Sequence, residues 1–311
     1  MLGYIANTDY DWYTFLRQLG SVDEVNFWQP SGGQAFHAVP PGAPFFLRLK
    51  SPYNAIGGFG FFAGQAKLPA WLAWDSFEEL NGAPDFETMR RWIERYRQGP
   101  PDPLANYIIG CLMIAQPVFF SDNEWVREPA DWHSNIVRGK GIDLSGGEGR
   151  RILDECRARA AGIWDEFGQA AAQEVLEKER YGKPTLVMPR IGQGIFRVSV
   201  MQAYEGACAV TGERSLPVLE AAHVVPYTDG GKHEVSNGLF LRTDIHKLYD
   251  HGYVTVTPDY RFEVGRRLRD EYENGRTYYQ LRGQPIRLPE NEEDRPNKHH
   301  LEWHANQVFK G

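Results

Sequence analysis

The sequence predicts an α+β protein of two domains joined by a helix, and three observations carry that expectation. Short apolar segments broken by Gly and Pro at about ten-residue spacing fill the first half, the pattern of a small curved sheet or β-barrel with helices. An apolar stripe at helical spacing runs from Arg150 to Tyr181. From Leu219 to Tyr249 the order is strand, polar loop, strand, helix, a ββα unit. With 311 residues the chain can bury two cores, and the domains are expected at residues 1–145 and 183–311 with a helical linker at 146–182.

Composition narrows the function classes. Hydrophobic residues at 42% and charged residues at 24% are those of a soluble globular protein. A net charge of −7 excludes a chain that coats nucleic acid through overall basicity, while a local basic face stays possible. Three widely spaced cysteines, Cys111, Cys156 and Cys208, make neither a disulfide framework nor a four-cysteine zinc site, and they fit a reducing cytoplasm. The N-terminal MLGYIANTDYDWY lacks the basic and apolar regions of a signal peptide. The most apolar run, Tyr107 to Phe120, is too short to span a bilayer, so a cytoplasmic protein with no membrane partner is expected.

Gly3 to Thr8 opens the first domain as a strand. Asp9 or Asp11 then caps a helix carrying Trp12, Phe15, Leu16 and Leu19 on one face, ended by Gly20. Val25 to Trp28, Ala35 to Val39, FFLRLK and AIGGFGFF are short strand segments, separated by the Pro30 to Gly33 turn and by Pro40, Pro41 and Pro44. Helices are predicted at Trp71 to Leu80 and at Asp85 to Gln98, the second from the spacing of Phe86, Met89, Ile93 and Tyr96. Strands return at Tyr107 to Phe120.

The order NFWQPSGGQAFHAVPPGAPFFLRLKSPYNAIGGFGFF resembles the EVE branch of the PUA-like fold, a small β-barrel that includes readers of modified bases. The resemblance implies an aromatic pocket that accepts a flipped nucleobase and recovers by stacking part of what unstacking costs. By position the pocket residues are Asn26, Phe27, Trp28, Tyr53 and Asn54, with Trp71 and Trp74 behind them.

In the Arg150 to Tyr181 helix, Ile152, Leu153, Cys156, Ala160, Ile163, Trp164, Phe167, Ala171, Val175 and Leu176 form the stripe, and Pro184 and Pro189 end it. Such a helix serves as a spacer or as a dimer seam. Phe196 to Tyr204 is again predicted helical.

Leu219 to Val225 is then the first strand of the ββα unit, Tyr227 to Glu234 its Gly-Gly loop, Gly238 to Leu241 the second strand and Arg242 to Tyr249 the helix. AAHVVP, SNGL and DIHKLYD, in this order, resemble the HNH endonucleases, and the whole stretch is similar to the branch found in restriction enzymes. The resemblance matches His223 to the family's first histidine, Asn237 to its asparagine and His246 to its last histidine. It implies that His223 is the general base, a role suited to an imidazole neutral near pH 7. Asn237 then fixes His223 through its loop.

Asp250 follows His246 by one helical turn, so the two can share one cation, and a mixed nitrogen and oxygen set suits Mg2+ or Mn2+. Where many HNH nucleases carry a further metal ligand this chain has Ala222, leaving Glu220 or Asp244 to supply the missing oxygen. Thr211 in CAVTG stands where zinc-stabilised members carry a second cysteine, so structural zinc is not expected. His233 and His251 are expected outside the site. Arg242 or Lys247 pairs with the scissile phosphate, and Arg266 and Arg267 belong to an arginine-rich stretch from Arg261 to Arg287 expected to face duplex DNA.

The sequence therefore predicts a metal-dependent, restriction-type endonuclease acting on double-stranded DNA that carries modified cytosine, 5-methyl or 5-hydroxymethyl. The first domain reads the base, the second cuts, and a homodimer serves both strands. The alternative is a non-catalytic binder of modified nucleic acid with a degenerate HNH site.

Overall fold

The computed structural model describes residues 1–32, 35–97, 100, 102–167 and 191–311. They fall into two compact units, Met1–Gly192 and Gln193–Gly311. In the first, strand β1 (Leu2–Thr8) leads through helix α1 (Tyr10–Leu19) to β2 (Glu24–Gln29), β3 (Pro44–Leu49) and β4 (Ala55–Pro69). Helices α2 (Ala70–Phe77) and α3 (Phe86–Tyr96) precede β5 (Ile108–Phe119), β6 (Val126–Arg127) and β7 (Gly139–Asp143). The sheet runs β2-β5-β4-β3-β1-β7 with β6 beside β4, and β1–β3 is its parallel pair.

The β4–β5 hairpin carries register shifts at Phe59/Phe61 and Phe62/Gly64, the irregularities that bend a sheet. Closure does not follow. The hydrogen-bonded path ends at β2 and β7, which do not pair among the described residues, so the expected barrel is replaced by an open mixed sheet. Beside β2 sits the turn after α2, where Asn81 accepts from Asn26 Nδ2 at 2.8 Å and Trp28 Nε1 at 3.0 Å.

Both faces of this sheet are covered, which is why β3, PFFLRL, is buried throughout and shows no alternation. On one face α1 contributes Trp12, Tyr13 and Leu16 to a core with Phe45 and Leu47. On the other, helix α4 (Gly147–Phe167) inserts Ile152, Leu153, Cys156 and Ala160 against Ile5, Phe46 and Phe120. Each such buried Ile or Leu is worth roughly 1.5–3 kcal/mol, so the start of the expected linker is the cover of the first unit's sheet. The side chains of the later stripe, Ile163 to Leu176, and Pro184 and Pro189 lie outside the described residues, as do Gly33 and Gln98.

The second unit opens with α5 (Gln193–Ala203), followed by β8 (Leu219–His223), β9 (Gly238–Arg242) and α6 (Thr243–Asp250). Antiparallel β8 and β9 set His223 opposite Gly238. A side chain at Gly238 would run into Val200 and stand 3.2 Å from Phe196, so glycine is what lets α5 pack on the hairpin. The hairpin β10 (Val254–Val256) and β11 (Phe262–Val264) follows, then α7 (Arg267–Tyr272), α8 (Arg276–Tyr279) and α9 (Lys298–Gln307). The α9 residue His304 is buried against α6: its ring stacks on Tyr249 at 3.6 Å, Nε2 lies 3.1 Å from the Tyr249 carbonyl and Nδ1 2.8 Å from Thr255 Oγ1. Cys111, Cys156 and Cys208 are all buried and unpaired. Among the described residues no helix is long and apolar enough to cross a membrane.

Candidate active site and base pocket

His223 ends β8, and its ring lies flat on Phe196 of α5, centroids 4.0 Å apart at 13°. Its Nε2 is 3.0 Å from Nδ1 of His233, a residue expected outside the site. The His233 ring in turn stacks on Tyr227 at 5.0 Å and 8°. The one sequence signal for this contact is that Tyr227 and His233 flank the Gly230-Gly231 turn, which folds the loop back on itself. Burial first, then the neighbouring His233 and His246, holds the His223 imidazole down to about 4 against an ordinary 6.5. At neutral pH it is therefore uncharged and able to accept a proton.

Among the described residues Asn237 makes no hydrogen bond to the His223 ring. Fully buried, it accepts from Val225 N at 2.9 Å and donates to the carbonyls of Val225 at 2.9 Å and Lys232 at 3.0 Å. The two ends of the loop are thereby clipped together. Gly231 belongs to the same closure, since a Cβ there would overlap the Val225 carbonyl.

His246 stands between two carboxylates. Glu220 Oε2 of β8 lies 2.6 Å from Nδ1, and Asp250 Oδ2 lies 3.4 Å from Nε2. Glu220 thus meets the imidazole rather than filling the place left by Ala222, which is itself fully buried. A carboxylate on one ring nitrogen fixes the tautomer and leaves the other nitrogen for a cation. Burial pushes the Asp250 carboxyl up, and His246 pulls it back.

Asp244 is elsewhere. Its oxygens take Arg242 Nε at 2.6 Å and Nη2 at 2.8 Å, and Tyr278 donates to it at 2.9 Å. The Arg242 guanidinium holds the Asp244 carboxyl below the usual range, and the two residues are paired with each other. No three His, Cys, Asp or Glu side chains gather into a cation site among the described residues. His246 Nε2 with Asp250 still fits a hard divalent cation, because such ions keep several water or phosphate oxygens of their own.

For phosphate, Lys247 is exposed on α6 and makes no ion pair among the described residues. Arg266 is likewise exposed, whereas Arg267 pairs with Glu271 and Arg282 with Glu263. The arginine-rich stretch is thus partly neutralised at its own surface.

In the first unit a cavity of about 560 Å3 is lined by Phe27 and Trp28 of β2 together with Trp12, Tyr96, Asp9 and Lys50, among others. Asp9 does not cap α1 with its side chain. Its carboxylate takes Lys50 Nζ at 2.5 Å and Tyr96 OH at 3.3 Å, placing a paired charge at the cavity wall. Arg97 and Arg138 add positive charge to the lining.

The other expected pocket residues do not line this cavity. Asn26 is fully buried on Asn81 and Cys111, Tyr53 stacks on Tyr10 at 4.1 Å, Asn54 accepts from Arg48, and Trp71 lies on α2. Asn26, Tyr53 and Asn54 are thus held by partners of their own.

Residues 208–257 match the HNH endonuclease family. No curated protein matches the chain. An ASCH protein from Zymomonas mobilis is similar in structure at 11% identity and a TM-score of 0.31, over 48% of this chain and 94% of that one. The modification-dependent restriction endonuclease TagI is similar at 11% identity and a TM-score of 0.30, over 93% of this chain and 78% of that one.

Proposed function

From an HNH endonuclease domain at residues 208–257, we propose that this protein is a divalent-metal-dependent endonuclease that hydrolyses phosphodiester bonds in DNA carrying modified cytosine. The observation that carries the proposal is the juxtaposition, in one ββα unit, of a neutral His223 with the His246–Asp250 pair. Water attacks phosphorus as His223 takes its proton, the bond to the leaving 3′ oxygen breaks, and that oxygen takes a proton from solvent. His246 and Asp250 would hold a Mg2+ or Mn2+ ion, which when bound supplies positive charge to the phosphate oxygens. Glu220 orients His246, Asn237 fixes the loop beside His223, and Lys247 offers its ammonium to a neighbouring phosphate.

Choice of substrate is assigned to the first unit. Its cavity has the size of a small-ligand site, and Trp28, Phe27 and Tyr96 supply faces on which a flipped base can stack. A homodimer would bring one cutting site to each strand. The test is to incubate the protein with plain, 5-methylcytosine and 5-hydroxymethylcytosine DNA, with and without Mn2+. Cleavage of a modified substrate alone, and only with metal, is expected. Equal cleavage of all three would remove the reader role. Cleavage of none would favour a binding protein with a degenerate site, the reading that Ala222 and the two-donor cation site support.

A further inference from the structure

A neutral imidazole has one N–H and one lone pair, and the surroundings decide which nitrogen carries which. The contact between His223 Nε2 and His233 Nδ1 at 3.0 Å uses one nitrogen of each ring. If His233 donated, the only lone pair of His223 would be tied up and Nδ1 would carry its proton, leaving no nitrogen to accept one from water. If His223 donates, its Nδ1 is the open lone pair. That atom has no hydrogen-bond partner among the described residues and is not among the side-chain atoms sealed from solvent without one.

We propose that His233 is the positioning residue for His223, accepting its Nε2–H and so leaving Nδ1 as the proton-accepting nitrogen. The inference rests on the nuclease reading given above. Both rings are set for it. Phe196 fixes the plane of His223 at 4.0 Å and Tyr227 that of His233 at 5.0 Å, and the two imidazoles meet at 61° with centroids 5.1 Å apart. Asn237 holds the carbonyl of Lys232, the residue before His233, at 3.0 Å. The buried asparagine therefore acts on the base through His233, by fixing the backbone that aims its ring. When water gives up its proton, the O–H bond breaks and an N–H forms at His223 Nδ1. The imidazolium then donates from Nε2 into a lone pair already waiting on His233.

Two readouts test this on the full chain, one of them independent of cleavage. Imidazole 15N spectra of the metal-free protein should show His223 as the Nε2–H tautomer. His233→Phe, which keeps a ring between Tyr227 and Phe196, should mix the tautomers and lower kcat on supercoiled plasmid with Mn2+ by roughly 10- to 100-fold at little change in KM. His233→Asn should restore both, because its Oδ1 stands where Nδ1 stood and accepts the same hydrogen bond. A wild-type His223 protonated on Nδ1, or a His233→Phe protein with unaltered tautomer and kcat, overturns the proposal. Should His233→Phe fail to fold, the wild-type tautomer decides alone. A wild type that cuts no DNA in any metal overturns the nuclease reading instead, and with it the catalytic meaning of a tautomer that the spectra still establish.

Discussion

His223, His233, Asn237, His246 and Asp250 all come from one ββα unit between Leu219 and Asp250; the first four are held by hydrogen bonds, and Asp250 faces His246 Nε2 at 3.4 Å. The cavity of the first unit draws instead on two strands, two helices and loops from Asn7 to Arg138, and Trp12, Phe27, Trp28 and Tyr96 give its wall aromatic surface. Chemistry that moves a proton needs a few atoms at set distances, which a short contiguous segment supplies. Recognition of a flat base needs area, which can be gathered from anywhere. The first kind of site should fail abruptly on a single substitution and the second by degrees.

Mutations can break or sharpen that contrast. His223→Ala should lower single-turnover cleavage by about 1000-fold or more while DNA binding persists, the scale of a lost general base. Cleavage within tenfold of wild type would move the chemistry elsewhere. Trp28→Ala removes one stacking face worth roughly 1–3 kcal/mol, so preference for modified over plain DNA should fall roughly 10- to 100-fold with cutting of plain DNA unchanged. An undiminished preference in competition cleavage would place the reader outside this cavity.

Glu220→Gln keeps an acceptor on His246 but loses its charge, and Mn2+ affinity by calorimetry should weaken by about tenfold. Affinity equal to wild type would mean that Glu220 does not tune the site. Lys247→Ala should weaken binding to modified and plain DNA alike by a few-fold and flatten the salt dependence by about one counterion.

The smallest effect is on pH. His223 and His304 are both held at about 4, below their ordinary 6.5, so each disfavours protonation in the folded state. Their contribution to stability is present in full above about 6.5 and is lost as pH falls from there toward 4. Histidine NMR titration should show both rings neutral at pH 5.5, and Tm should fall across that window. A His223 that titrates near 6.5 would remove the burial argument for its neutrality.

The same contrast explains what was legible in the sequence. The ββα unit is legible to within a residue or two at the helix and the second strand, because a short apolar run, Gly238 to Leu241, gives way at Arg242 to a helical pattern. His223, Asn237 and His246 stood out by motif. His233 did not, since its partner lies across a loop whose closure depends on Asn237, and no spacing encodes that. Nor does any spacing encode the hydrogen bonds that Arg242 and Tyr278 make to Asp244. In the first unit, β2 changes from buried to half-exposed at Phe27 instead of alternating, so no pattern could tell buried Asn26 from cavity-lining Trp28. Asp9, Lys50 and Tyr96 meet only once α1, β3 and α3 are folded together.

The stack of His304 on Tyr249 carries a consequence for the gene. Helix α6 has eight residues, well under the ~12–15 at which isolated helices begin to persist, so it depends on what packs against it. A stop codon or a protease cut just before Lys298 would strip away that support while sparing every residue of the first unit. On the division of labour proposed above, the shortened product would keep the cavity assigned to base reading without a working cutting site, and would compete with intact copies for the same DNA.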